Sequence, residues 1–92
     1  MGNFEFSHKG WFTPYYDDKG NMSNINSCAC ACINDIECAA YSFRDDSNDC
    51  YFFKEAWISN GKDYDNASKA YIKKKGNECL CLANALQFFY IQ

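Results

Sequence analysis

Ninety-two residues, 48% of them hydrophobic, make one domain with a thin core, because a chain this size buries only about 60–65% of the surface it exposes when unfolded. A net charge of -3 and a pI near 4.9 exclude a nucleic-acid backbone as the natural partner, since such binders need clustered positive charge. The one basic run, Lys73 to Lys75, reads as a solvated strand end, and no stretch of about twenty apolar residues exists to span a membrane.

Seven cysteines in so short a chain point to an oxidising compartment, where covalent bridges supplement a small core. A structural zinc site is the competing reading. It lacks support, because His8 is the only histidine and no C-x-x-C pair occurs. Met1 to Phe6 lacks the basic and apolar regions of a signal peptide, so the chain reads as a mature form if it is secreted. Aromatic residues reach 18%, and in a small domain some of these rings must be exposed or covered by a partner.

Residues 1–16 alternate at Phe4 and Phe6, then cluster Trp11, Phe12, Tyr15 and Tyr16 around Gly10 and Pro14. Two short strands joined by a turn fit this pattern, with Pro14 holding the second to an edge or to its own end. Residues 17–24, DDKGNMSN, are polar and turn-forming and read as a loop. A helix should start at Ser23 or Asn24, either of which can accept a bond from a first-turn amide. Ile25, Cys28, Cys32 and Ile36 recur at three- and four-residue steps and mark its buried face. Cys30 lies off that face, because two residues along a helix rotate by about 200°. Asn34 and Asp35 are expected to end the helix.

From Cys38 the period changes to two. AAYSF alternates, RDDSND turns and CYFFK resumes, which predicts a β-hairpin with a loop at Asp45 to Asp49. Residues 55–67 are mixed, with Asn60-Gly61 as a turn signal. SKAYIKK at 68–74 alternates again and makes a closing strand, with Ala70 and Ile72 on one face and Lys69, Tyr71 and Lys73 on the other. The reading divides the chain into a domain at 1–75 and an apolar, cysteine-containing tail at 76–92.

A helix with C-x3-C (Cys28, Cys32), a third cysteine at Cys38, an alternating A-x-S-F strand, a polar turn, C-Y-F-F (Cys50 to Phe53) and a final A-Y-I-K strand resembles the PAN/apple domain family. The match covers about residues 23–74, and residues 4–16 can serve as the opening strands. The resemblance implies an α+β fold, a single helix packed on a curved antiparallel sheet of about five strands. It also implies bridges from Cys28 to Cys50 and from Cys32 to Cys38. Cys28 and Cys32 stand one turn apart on one helix face, so both look at the sheet. Two departures from the family pattern stand out. Many members join their terminal strands by a third bridge, yet here no cysteine precedes Cys28, and Cys30, Cys79 and Cys81 are extra.

Those three extra cysteines cannot all pair among themselves. A bridge from Cys30, on the outer helix face, to Cys79 or Cys81 leaves one thiol for an interchain bond or for burial as a small hydrophobe. Leu80, Leu82, Ala83, Leu86, Phe88, Phe89, Tyr90 and Ile91 make the tail apolar, either a further element of the core or a segment for self-association.

Catalysis is not expected, since a cysteine nucleophile needs a base and His8 alone is thin support. Asp45, Asp46 and Asp49 lack the EF-hand spacing and read as a solvated turn, as do Asp17, Asp18, Asp63 and Asp65. No cofactor or metal is called for. Asn21 and Asn66 head N-x-S sequons, which are glycosylation acceptors on a secretory route. The family resemblance implies an extracellular adhesion module that binds protein or glycan. Trp11, Tyr15, Tyr16, Trp57 and Tyr64 are candidate contacts, since aromatic faces suit sugar stacking and interface hot spots; for Trp11 and Trp57, core filling is the competing reading. The alternative is a structural subunit of an extracellular filament or matrix, joined through the apolar tail and an interchain disulfide.

Overall fold

The computed structural model describes residues 3–74. Seven strands and two helices follow in the order β1 (Phe4–His8), β2 (Gly10–Phe12), β3 (Asp17–Asn21), α1 (Ile25–Ile33), β4 (Ala40–Arg44), β5 (Asp49–Phe53), α2 (Glu55–Ile58), β6 (Lys62–Tyr64) and β7 (Ser68–Lys73). Five of the strands form one antiparallel sheet ordered β1-β7-β4-β5-β3, and β2 pairs with β6 in a separate two-stranded ribbon.

Helix α1 begins where its sequence allows. The Asn24 side chain accepts the Ser27 amide at 2.9 Å, which satisfies one of the free donors of the first turn. Asn34 caps the other end. Nine residues are too few for a helix to persist alone in water, so its stability comes from packing and from covalent ties. Cys28 is bonded to Cys50 on β5, with Cα atoms 5.7 Å apart, and Cys32 to Cys38 just past the helix, at 5.3 Å.

Period-two alternation sends the two sides of each strand into different cores. Phe4, Tyr41, Phe43 and Phe52 face α1 and pack with Cys28, Ala29, Cys32 and Ile33. On the opposite face Phe12, Ala40, Phe53 and Ala70 form a second cluster, flanked by Trp11, Tyr51, Trp57, Ile58 and Ile72. The described residues thus form three layers, with α1, the sheet, and then the β2–β6 ribbon with α2. Asn48 closes the β4–β5 loop at φ 63°, a left-handed conformation that asparagine tolerates.

Three sequence expectations are corrected. Residues 17–21 are not loop but the edge strand β3, paired with β5 and bulged between Asp18 and Asn21. Its side chains are mostly exposed, so it shows no apolar alternation, and charge with a bulge protects the open edge. Ile36 is 95% exposed rather than buried, because α1 ends at Ile33 and the helical period stops with it. Cys30 stands apart from the core cluster beneath α1, as the rotation predicts, but it is only 7% exposed and is itself disulfide-bonded, so its side of the helix is not an outer one. Cys79, Cys81 and the tail lie outside the described residues.

Candidate functional site

The layer opposite α1 carries a small aromatic cleft. Strand β2 builds one wall: its alternation buries Phe12 against Phe53, with ring centroids 5.2 Å apart, and leaves Trp11 half-buried at the rim. Beyond β2 the chain turns through Thr13, whose amide donates to the Gly61 carbonyl at 3.1 Å, and through a cis peptide to Pro14. That turn brings Tyr16 back over β5. Tyr51, on the same side of β5 as Phe53, meets Tyr16 edge-on at 5.4 Å and Trp11 at 6.3 Å. The space between these rings is about 120 Å³, floored by Phe12 and Phe53.

Two carboxylates stand beside residues of the cleft. The Trp11 indole Nε1 donates to Asp63 Oδ2 at 3.1 Å across the ribbon, where the two residues are ladder partners. Asp18 is the ladder partner of Tyr51. The Tyr51 hydroxyl is held above its ordinary pKa of 10.0, first by partial burial and then by the charges of Asp49 and Asp18, against a smaller opposing effect of Arg44. Tyr51 is therefore a neutral hydrogen-bonding group at physiological pH, set in a negative environment.

Of the rings singled out from sequence, Trp11 and Tyr16 line this cleft. Tyr15 and Trp57 pair beside it with centroids 6.0 Å apart, and Lys54 Nζ lies 5.3 Å over the Trp57 ring. Tyr64 is 69% exposed and packs edge-on to His8 away from the cleft. The competing reading for the tryptophans holds in part, since Trp11 and Trp57 both flank the second core cluster. Tyr51 is the residue that sequence reasoning missed. It lies in the CYFF run read as a core strand, and the signal was its parity: one residue from Cys50, it must face away from α1.

The remaining candidates are accounted for locally. Asp46 and Asp65 hold the Arg44 guanidinium at 2.7 and 2.8 Å, and Asp45 pairs with Lys69 at 3.0 Å. Asn21 donates to the Ser47 carbonyl at 2.8 Å and to Asp49 at 2.9 Å, whereas Asn66 is exposed in the turn before β7. His8 is buried, with one ring nitrogen 2.8 Å from the Trp11 carbonyl and the other 2.7 Å from the Ser7 hydroxyl. All five described cysteines are disulfide-bonded, so none of them offers a thiolate. No described group of histidine, cysteine and carboxylate side chains is arranged to hold a metal.

A wider groove of about 770 Å³ lies at the end of α1, bordered by Ile33, Ile36, Glu37, Lys54, Lys73 and Lys74. It is the larger concavity but the weaker site. No ring is among its described lining residues, and Lys54 and Glu37, 3.7 Å apart, offset each other's charge. Lys73 is already engaged, donating to the Asp35 carbonyl at 3.1 Å.

The described residues form a disulfide-stapled α+β domain whose sheet face opposite α1 carries an aromatic cleft. The match to the PAN domain model runs over residues 3–84, and the chain belongs to that family. PAN domains are protein- and carbohydrate-binding modules of extracellular proteins rather than an enzyme family, and the disulfides fit an oxidising environment. No curated protein and no solved structure matches the chain. No helix among the described residues is long and apolar enough to cross a membrane.

Proposed function

We propose that the chain is a secreted, non-enzymatic recognition and adhesion module, in which residues 1–75 form the binding domain and hold a protein or carbohydrate ligand at the Trp11–Tyr16–Tyr51 cleft. The observation that carries this reading is the convergence of three rings on a single depression while polar tips remain at its rim. Aromatic surface of this kind is rigid and amphipathic, which suits interface hot spots. Tyr16 is 56% exposed, so replacing it tests binding with little effect on the core. Secreted protein is immobilised and screened against glycans and purified extracellular proteins, with Tyr16→Ala in parallel. A ligand retained by the natural protein and lost by the variant supports the cleft; equal retention by both contradicts it.

A second reading, covalent assembly through the tail at 76–92, is favoured by the cysteine count. Seven is odd, and four are used by Cys28–Cys50 and Cys32–Cys38. If Cys30 pairs with Cys79 or Cys81, one thiol remains, for a bond to a second molecule or for burial as a small hydrophobe. Intact mass of thiol-alkylated protein, with and without reductant, decides it: a multiple of the chain mass that collapses on reduction supports assembly, and an alkylated monomer counts against it.

A further inference from the structure

We propose that the cleft takes a cationic side chain, an arginine or lysine exposed on a protein partner, rather than a sugar ring. This deepens the recognition reading and rests on it. Size is the first argument. A space of about 120 Å³ holds the equivalent of about four waters, well short of the ~300 Å³ at which pockets for whole small molecules begin. It suits the end of one side chain delivered by a larger surface.

Ring geometry is the second. Trp11 and Tyr16 meet Tyr51 at interplanar angles of 65° and 82°, so their planes form corners rather than a stack. Aromatic faces are electron-rich, and a cation within about 6 Å of a ring centroid is attracted to them, most strongly to tryptophan. The Trp11 indole gives its N–H to the Asp63 carboxylate, which makes its ring still richer in electrons.

Charge is the third argument. Asp63 and Asp18 stand beside Trp11 and Tyr51, and none of the described residues lining the cleft carries a positive charge. Arg44, the cation that acts on Tyr51, is bound by Asp46 and Asp65. Elsewhere the chain supplies its own cations to its rings: Lys54 lies over Trp57 and Lys19 over Phe52, at 5.3 and 5.2 Å. At the cleft the same arrangement of rings and acids stands ready for a cation from outside.

The test is a titration of the isotope-labelled full chain, followed by nuclear magnetic resonance at the Trp11 indole and the amides of Trp11, Tyr16 and Tyr51. The probes are acetyl-Gly-Arg-Gly-amide, its lysine and citrulline counterparts, and methyl hexosides. The expected result is saturable shifts with the arginine and lysine peptides, and affinity for citrulline weaker by about two- to fivefold, with the same loss in Asp63→Asn. Asparagine can still accept the indole N–H, so this variant removes charge while keeping the contact; Tyr16→Leu, at an exposed position, is the second variant and should weaken binding similarly. Citrulline or hexosides binding as well as arginine overturns the cationic preference but leaves recognition at the cleft standing. Shifts confined to the end of α1, or no shift with any probe, overturn both.

Discussion

Ser42, fully buried on the central strand β4, donates its hydroxyl to the carbonyl of Gly10 at 2.8 Å and so ties the two-stranded ribbon to the main sheet. The ribbon carries Trp11, and the bond therefore positions the cleft. Ser42→Ala leaves that contact unmade in a dry site, and the expected cost is about 1–3 kcal/mol. Thermal melting followed by near-ultraviolet circular dichroism reads it. An unchanged midpoint would contradict the tie.

Gly10 itself admits no side chain. Its φ is +142°, and an added Cβ would run into the Asp63 carbonyl and stand 2.9 Å from the Tyr64 Cα. The conflict is with backbone on β6, which cannot move without opening the ribbon. Gly10→Ala is expected to lose more stability than Ser42→Ala, beyond about 3 kcal/mol, and to abolish the Trp11–Asp63 contact. The near-ultraviolet tryptophan signal of any folded fraction reports the second effect.

The two bridges differ in what they contribute. In the chain-entropy account, the 22-residue separation of Cys28–Cys50 contributes roughly 3 kcal/mol and the 6-residue separation of Cys32–Cys38 roughly 2 kcal/mol. Paired alanine replacements should therefore rank in that order in urea denaturation. The reverse order would show that packing around the shorter bridge outweighs loop closure.

Much of this framework is legible in the sequence because it follows from local chemistry. Asn24 and Asn34 bracket α1 as capping residues, and the change of period after Cys38 separates helix from hairpin. The family resemblance read from the cysteine spacing is matched by the domain model. Strand β3 was illegible because DDKGN carries no apolar alternation and pairs at a solvated edge. Ile36 misled for the opposite reason: it keeps the helical period past the point where Asn34 ends the helix. The cleft was half legible. Trp11 and Tyr16 stand out by composition, whereas Tyr51 is recognised only once the facing of β5 is known.

Stability should respond to pH at both ends. The Ala67 amide, then the Ser68 hydroxyl and Arg44, hold Asp65 below its ordinary value of 3.8, with partial burial opposing. Its contribution is present above that value and is lost as pH falls through the lower folded value, so Asp65→Asn should narrow the difference from the natural protein in strong acid. Burial, with a smaller effect of Tyr71, raises Tyr41 far above 10.0. The unfolded chain ionises first, so stability falls as pH rises past about 10. Tyr41→Phe should flatten that alkaline limb in denaturant titrations.

Glycan attachment is expected at Asn66 and not at Asn21. Both Asn21 amide hydrogens are committed, to the Ser47 carbonyl and the Asp49 carboxylate, within a paired strand, whereas Asn66 projects from a turn. An N-linked glycan replaces one amide hydrogen and would cost Asn21 a bond. Expression in a glycosylating secretory host, followed by glycosidase and peptide mass mapping, checks it. Occupancy at Asn21 with Asn66 bare would contradict the prediction.

The central claim is that recognition takes place on the sheet face opposite α1. Hydroxyl-radical footprinting of the full chain, with and without a ligand retained in the binding screen, tests it most directly. The account predicts protection of Trp11, Tyr16 and Tyr51 with Ile36 unchanged. Protection of Ile36 and its neighbours at the end of α1, with the three rings still reactive, would contradict it.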